Sequence, residues 1–179
     1  YSDGTIGSAG LRESNYGLIN YYYEGAYRTN VRISSVDTDI EELIDEGVHV
    51  LIAAGNRSHK IDTSTGSDYN NYAVTNNGTK YYHRGSSPFH EKAIMVGSLD
   101  NNSYSSTQDQ KSTFSETGPG IDIWAHGSSI MAASSNTNEI GGYAYPSNNS
   151  YKQVAISGTS MATPQVSGVA ALIAQANPG

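Results

Sequence analysis

Residues 154–172 constrain this chain more than any other stretch. An apolar run, Val154-Ala155-Ile156, meets Gly158 and then Ser160, and a helical pattern of Ala, Val and Leu follows. Gly158 allows a tight turn and the close approach of another backbone segment. Ser160 falls in the first turn of the predicted helix, where unpaired N–H groups and the positive end of the dipole favour negative charge. Val166, Val169 and Ile173 recur at i, i+3 and i+7, which predicts one buried helix face. Two readings of Ser160 follow. It is an N-cap, as most serines before helices are, or it is a nucleophile whose developing oxyanion is held by its own backbone N–H.

Upstream, the hydropathy pattern is that of an α/β chain. Val31 to Val36 reads as a short strand. Thr38 followed by Glu41 forms a capping box for a helix through Ile40, Leu43 and Ile44, which Gly47 stops. Val48 to Ala54 is a continuous apolar strand, so strand, helix and strand predict a βαβ unit and a parallel sheet. Further strands are expected at Ala93 to Leu99, Ile121 to Ala125 and Gln153 to Ile156. Between them, Gly55 to Pro88 is polar and rich in turn residues, and a structureless stretch that long is usually functional or mobile. Residues 1–30, with the Tyr21-Tyr22-Tyr23 run, show no sustained period and are read as irregular.

A second chemical element ends the central strand. Ala53-Ala54-Gly55-Asn56 places three small residues and an amide at the carboxyl end of a strand, where ligand and catalytic groups gather in parallel α/β sheets. An asparagine there is either a turn initiator or a side-chain N–H donor to an oxyanion, with small neighbours leaving room for a substrate group.

Taken together, Gly158-Thr159-Ser160-Met161-Ala162-x-Pro164 and Ala53-Ala54-Gly55-Asn56 resemble the nucleophile and oxyanion segments of the subtilisin-like serine proteases, the subtilases. Ala93 to Asp100, Ser112-Thr113-Phe114-Ser115 and Gly118-Pro119-Gly120-Ile121-Asp122 are similar to further segments of that family, with His126 in place of a proline and Gln165 in place of a histidine. The resemblance covers roughly residues 31–179 and implies a single domain over 1–179. That domain would be the C-terminal part of a subtilase catalytic domain, with 1–30 poorly matched: a parallel sheet flanked by helices, subtilisin-like and partial. Ser160 would be the nucleophile and Asn56 the side-chain donor of the oxyanion hole. Ser34, Ser35 and Val36 would form one wall of the substrate cleft and Ala53, Ala54 and Gly55 the other.

The triad's other members are missing from view. Subtilases supply Asp and His from a "DTG"-type strand end and an "HGT"-type helix start, both ahead of the "AAGN" segment, and neither motif is present. Val36-Asp37-Thr38 comes nearest to the first, but it stands close ahead of Asn56 with no His-Gly-Thr between, and helix capping accounts for it. Among the histidines, His49 reads as a core residue of a buried strand, while His59, His83, His90 and His126 follow no Gly-rich helix start. The expectation is that Asp and His lie upstream of Tyr1 or are lost.

These readings leave a serine endopeptidase acting on polypeptides, with a catalytically inactive subtilase-like fold used for binding or assembly as the alternative. An unrelated α/β hydrolase is disfavoured, since the serine lacks a Gly-x-Ser-x-Gly elbow. No cofactor is required. A structural Ca²⁺ is implied by resemblance at Asp122, with backbone carbonyls of residues 89–93, and Asp62 and Asp68 offer further carboxylates. A formal charge of −7 argues against nucleic-acid binding, and no apolar run is long enough to span a membrane. The chain has no cysteine, hence no thiol chemistry. An extracellular home is implied by the resemblance alone.

Overall fold

The computed structural model describes residues 32–69, 83–100, 109–137 and 141–178, and the backbone of three short strands before residue 83. In chain order the elements are β1 (Thr5–Ile6), α1 (Ser34–Asp45), β2 (Leu51–Ala53), β3 (Tyr72–Val74), β4 (Lys80–Tyr82), β5 (Ile94–Leu99), β6 (Ile123–His126), β7 (Ile130–Ser134), β8 (Tyr143–Tyr145), β9 (Asn148–Ile156) and α2 (Thr159–Ala176).

A parallel sheet of order β2-β5-β6 carries the core. Its register pairs Ile52 with Met95 and Ala53 with Val96, then Val96 with Ile123 and Leu99 with His126. Successive residues of a strand face opposite sides, so the continuous apolar runs feed two clusters. Ile52, Ala54, Ala93 and Met95 pack with Ile61 on the side that also takes Ile44 of α1. Val96 packs with Ala162 and Val166 of α2 on the other, joined by Leu51, Ile94 and Ala125. Apolar burial on both faces is what a parallel sheet needs, and it is what the sequence leads one to expect: a parallel sheet with a helix against each face.

Several expected boundaries move. The strand expected at Val31 to Val36 is not formed: α1 begins at Ser34, four residues ahead of the capping box at Thr38. The cause is tertiary. Arg32 Nε donates to Asp37 Oδ2 at 2.8 Å, the Phe89 N–H donates to Asp37 Oδ1 at 2.9 Å, and the Ile33 N–H donates to Ser87 Oγ at 2.6 Å. Asp37 thus sits in the first turn, where a carboxylate suits the helix dipole, while bonding two groups outside the helix. β2 is shorter than the apolar run 48–54, leaving His49 exposed ahead of the strand rather than inside the core.

The buried helix face of α2 also ends early. Val166 is buried, but Val169 and Ile173 are exposed. An 18-residue helix is roughly 27 Å long, whereas β5, the longest strand beneath it, has six residues and spans roughly 20 Å. Only the first turns of α2 therefore find a partner in the described structure.

Two antiparallel sheets leave no clear signal in the sequence. β9 extends back to Asn148 and is flanked by β7 and β8, while β3 and β4, from the polar stretch Gly55 to Pro88, form a sheet with β1 from the N-terminal segment, β3 in the middle. Residues 1–4 and 7–30 of the segment read as irregular, and Val31 of the expected strand, lie outside the described residues.

Candidate active site

The turn between β9 and α2 meets the end of β2 through a set of hydrogen bonds centred on Thr159. The Thr159 N–H donates to Asn56 Oδ1 at 2.8 Å, and the Thr159 hydroxyl donates to the same oxygen at 3.0 Å. That hydroxyl in turn accepts the Gly55 N–H at 3.1 Å. With Oδ1 held by two donors, the Asn56 carboxamide can only present its Nδ2 hydrogens away from Thr159. Asn56 is exposed, so those donors are available to a ligand.

Ser160 is the second residue of α2 and is exposed. Its neighbours' amides are used: Thr159 bonds Asn56, and the Met161 N–H donates to the Gly158 carbonyl at 2.9 Å. The Ser160 N–H has no partner among the described residues, and it is one of the four orphan donors that every helix start leaves. Pro164 lies inside the helix and has no N–H to return to the Ser160 carbonyl. An exposed hydroxyl, a free backbone N–H and an outward carboxamide therefore share one helix start, which carries positive dipole charge.

Glycines let the segments come this close. A Cβ on Gly158 would stand 3.2 Å from Asn56 Nδ2, and one on Gly127 would stand 2.6 Å from the Gly158 carbonyl oxygen and 2.3 Å from Ser98 Oγ. The Gly158 N–H donates to the Gly127 carbonyl at 2.8 Å, so the end of β6 braces the turn from behind.

Of the residues expected from sequence, Ser160 and Asn56 are thus brought together, with Ala53, Ala54 and Gly55 leading directly into the site. Ser34, Ser35 and Val36 are not a strand wall. They form the first turn of α1, which is tied to residues 84–89 rather than to β2. Thr159, only 1% exposed, is the residue that sequence reasoning misses. It lies inside the motif, but a side chain that serves another side chain leaves no periodic signal. Thr159→Val keeps the shape and removes the hydroxyl, stranding the Gly55 N–H. A loss of about 1–3 kcal/mol in folding free energy is expected, and Thr159→Ser should restore most of it. Denaturant midpoints of the two variants check this.

No hydrogen bond joins a described histidine to Ser160. Burial, with His83 and Arg57 nearby, holds His59 down at about 4, well below the range of a working base. His83 is likewise buried and lowered, despite Asp68 beside it. His126 Nε2 lies 3.5 Å from Asp109 Oδ1, an Asp–His pair worth testing by position. The His126 carbonyl accepts Gln165 Nε2 at 2.6 Å, and five residues along a helix amount to a rotation of about 140° from Ser160. The pair therefore lies beside a different flank of α2.

The cation sites expected from carboxylates fit poorly. Asp62 and Asp68 face a cation already supplied by the protein, the Lys60 ammonium, at 3.1 and 2.5 Å. Asp122 uses Oδ2 to accept the Met95 N–H at 2.7 Å, stitching β5 to the start of β6 and leaving one oxygen for a metal. Calcium takes six to eight oxygens, and among the described residues no group of three or more acidic, His or Cys side chains converges.

Comparison with known proteins identifies the family. A model of the subtilase family matches residues 7–179. Serine protease AprX of Bacillus subtilis is 36% identical over 146 residues, covering 78% of this chain and 28% of that protein. Alkaline serine exoprotease A of Vibrio alginolyticus is 32% identical over 143 residues, covering 80% of this chain and 19% of its own length. A crystal structure of a cold-adapted subtilisin-like serine proteinase superposes with a TM-score of 0.50 at 27% identity, over 83% of this chain and 39% of that one. The chain thus spans well under half of each of these relatives. With a family match over nearly its whole length, it belongs to the subtilase family.

Proposed function

We propose that these residues carry the nucleophile and oxyanion hole of a serine endopeptidase that hydrolyses peptide bonds in polypeptides. Ser160 Oγ attacks the scissile carbonyl carbon while its proton passes to a general base, and the carbonyl oxygen becomes an oxyanion. Asn56 Nδ2–H and the Ser160 N–H donate to that oxygen, where preorganised dipoles count most. The tetrahedral adduct collapses, the amine leaves with the proton returned by the base, and water then releases the acyl group by the same steps in reverse roles. Ala53 and Gly55 border the substrate on one side, their small size leaving room for it, whereas the Ala54 side chain expected there is buried in the core.

The observation that supports this reading is the pinned carboxamide of Asn56, turned outward beside a free Ser160 N–H. A fold kept only for binding has no chemical use for that pair. No hydrogen bond joins a described histidine to Ser160, and the reading places the base and its orienting carboxylate outside the described residues. The chemistry requires no cofactor. An extracellular setting is proposed by analogy with the family alone. Digestion of an unstructured polypeptide such as casein by the full-length protein tests the proposal. Fragments should appear with the natural sequence and disappear with Ser160→Ala, and casein left intact by a folded natural protein would count against it.

A further inference from the structure

Glu116 is a carboxylic acid buried directly beneath the oxyanion segment, with no part in the chemistry above. It is 2% exposed, lies far from Asn56 in sequence, and sits on a strap, residues 113–117, that runs alongside the loop after β2. The contacts between the two are regular. The Ser58 N–H donates to the Phe114 carbonyl, the Glu116 N–H to the Gly55 carbonyl, the Thr117 N–H to the His59 carbonyl and the Ile61 N–H to the Thr117 carbonyl, at 2.7–3.1 Å.

The side chain repeats this embrace from below. A Cβ on Gly55 would stand 2.9 Å from Glu116 Cγ and 2.9 Å from Oε1, so the carboxyl fills the space left by that glycine, whose φ of +116° suits no other residue. The backbones of His59 and Arg57 face the carboxyl. Oε2 is buried with no partner among the described residues. Glu116 therefore holds the chain immediately before Asn56 through Gly55, its strap holds the chain just after it through Ser58 and His59, and Thr159 grips the Asn56 side chain itself.

We propose that Glu116 is a positioning residue for the oxyanion donor, fixing the backbone on both sides of Asn56 so that its carboxamide meets the Ser160 N–H. The inference rests on the reading of Asn56 as that donor. The grip depends on protonation. Burial raises the Glu116 carboxyl from an ordinary 4.5 to about 8, opposed by the backbone bond from His59 and the charge of Arg57. The other titratable groups facing it are His59, already neutral above about 4, and Lys111, itself lowered by burial. Near neutral pH the carboxyl is a neutral acid. Above about 8 a charge appears beneath Gly55, and because the folded state holds this proton more tightly than the unfolded chain, stability falls as pH rises from about 4.5 to about 8.

The test follows the Asn56 side-chain amide by NMR in the full-length protein, from roughly two pH units below that midpoint to two above. Its resonances should shift with a midpoint near 8 in the natural sequence, stay flat and near their neutral-pH positions in Glu116→Gln, and broaden or double in Glu116→Ala. Peptide hydrolysis supplies a second readout. Glu116→Ala should lower kcat by about 10- to 100-fold, the scale on which a misplacement of about 1 Å is felt, with KM changed little, and Glu116→Gln should rescue it and flatten the alkaline limb of the pH profile. Amide resonances that ignore pH in the natural sequence, or that titrate alike in Glu116→Gln, would overturn the positioning role. Should Glu116→Ala not fold, the Glu116→Gln comparison decides alone. A natural protein without peptidase activity would instead sink the functional reading, while the NMR comparison still decides what Glu116 does.

Discussion

Replacing Asn56 with alanine is expected to lower kcat for peptide hydrolysis by about 10²–10³ in the full-length protein, with KM little changed. That magnitude is the effect of removing the corresponding amide in subtilisin, a member of the same family. The local geometry supports the role independently. Asn56 Oδ1 is taken by two donors from Thr159, so the only function left to the carboxamide is donation through Nδ2. A group that meets the oxygen chiefly when it carries charge should affect kcat and kcat/KM alike. Asn56→Asp offers a sharper control, since it places a carboxylate against the developing oxyanion and should lose at least as much. Steady-state kinetics of the two variants beside Ser160→Ala check the assignment; an Asn56→Ala protein with unchanged kcat would remove Asn56 from the oxyanion hole.

The second large effect is on stability. Lys60 is fully buried, and its ammonium lies between the carboxylates of Asp62, 2% exposed, and Asp68. Asp62 also accepts the N–H groups of Thr63 at 3.0 Å and Asp68 at 2.8 Å, so the acid folds the loop around itself. Taking away one partner of a buried ion pair leaves the other charge without compensation, at a cost of about 3–5 kcal/mol. Lys60→Met does so twice over, and the loss is a large part of the roughly 5–15 kcal/mol that typically holds a domain folded. The deficit should shrink as pH falls, because the abandoned carboxylates can then take up protons. Adding Asp62→Asn and Asp68→Asn to Lys60→Met should recover part of it at neutral pH. Urea unfolding at two pH values distinguishes this from simple loss of packing, which would be insensitive to pH.

The two effects draw on different parts of the sequence, and they are not equally legible there. Ser160 and Asn56 each lie in a short contiguous string whose residue types are dictated by local geometry: a glycine turn into a helix, and small residues at a strand end. The apolar runs of β2 and β5 are equally plain, because a strand buried on both faces needs every residue apolar. The start of α1 is hidden. A capping box at Thr38 is a sound local signal, but the helix is instead launched by bonds from Arg32, Phe89 and Ser87, the last two more than fifty residues away. Local sequence holds no record of such partners.

The same holds for the groups that support the site. Lys60, Glu116 and Thr159 are polar residues that composition places at the surface, and each is buried because of partners elsewhere in the chain. A lysine among polar neighbours reads as solvated until Asp62 and Asp68 are seen to close over it. The exposed second half of α2, with Val169, Leu172 and Ile173 facing outward, shows the opposite failure. Periodicity reports an apolar face correctly, but cannot say what lies against it.

The most direct test of Ser160 as an activated nucleophile is the intact mass of the full-length protein after treatment with a fluorophosphonate. This reagent phosphonylates an activated serine hydroxyl with loss of fluoride and places its phosphoryl oxygen in the oxyanion hole. One adduct is expected, absent in Ser160→Ala and formed far more slowly in Asn56→Ala. A folded protein that takes no label, or a label that survives Ser160→Ala, would contradict the assignment.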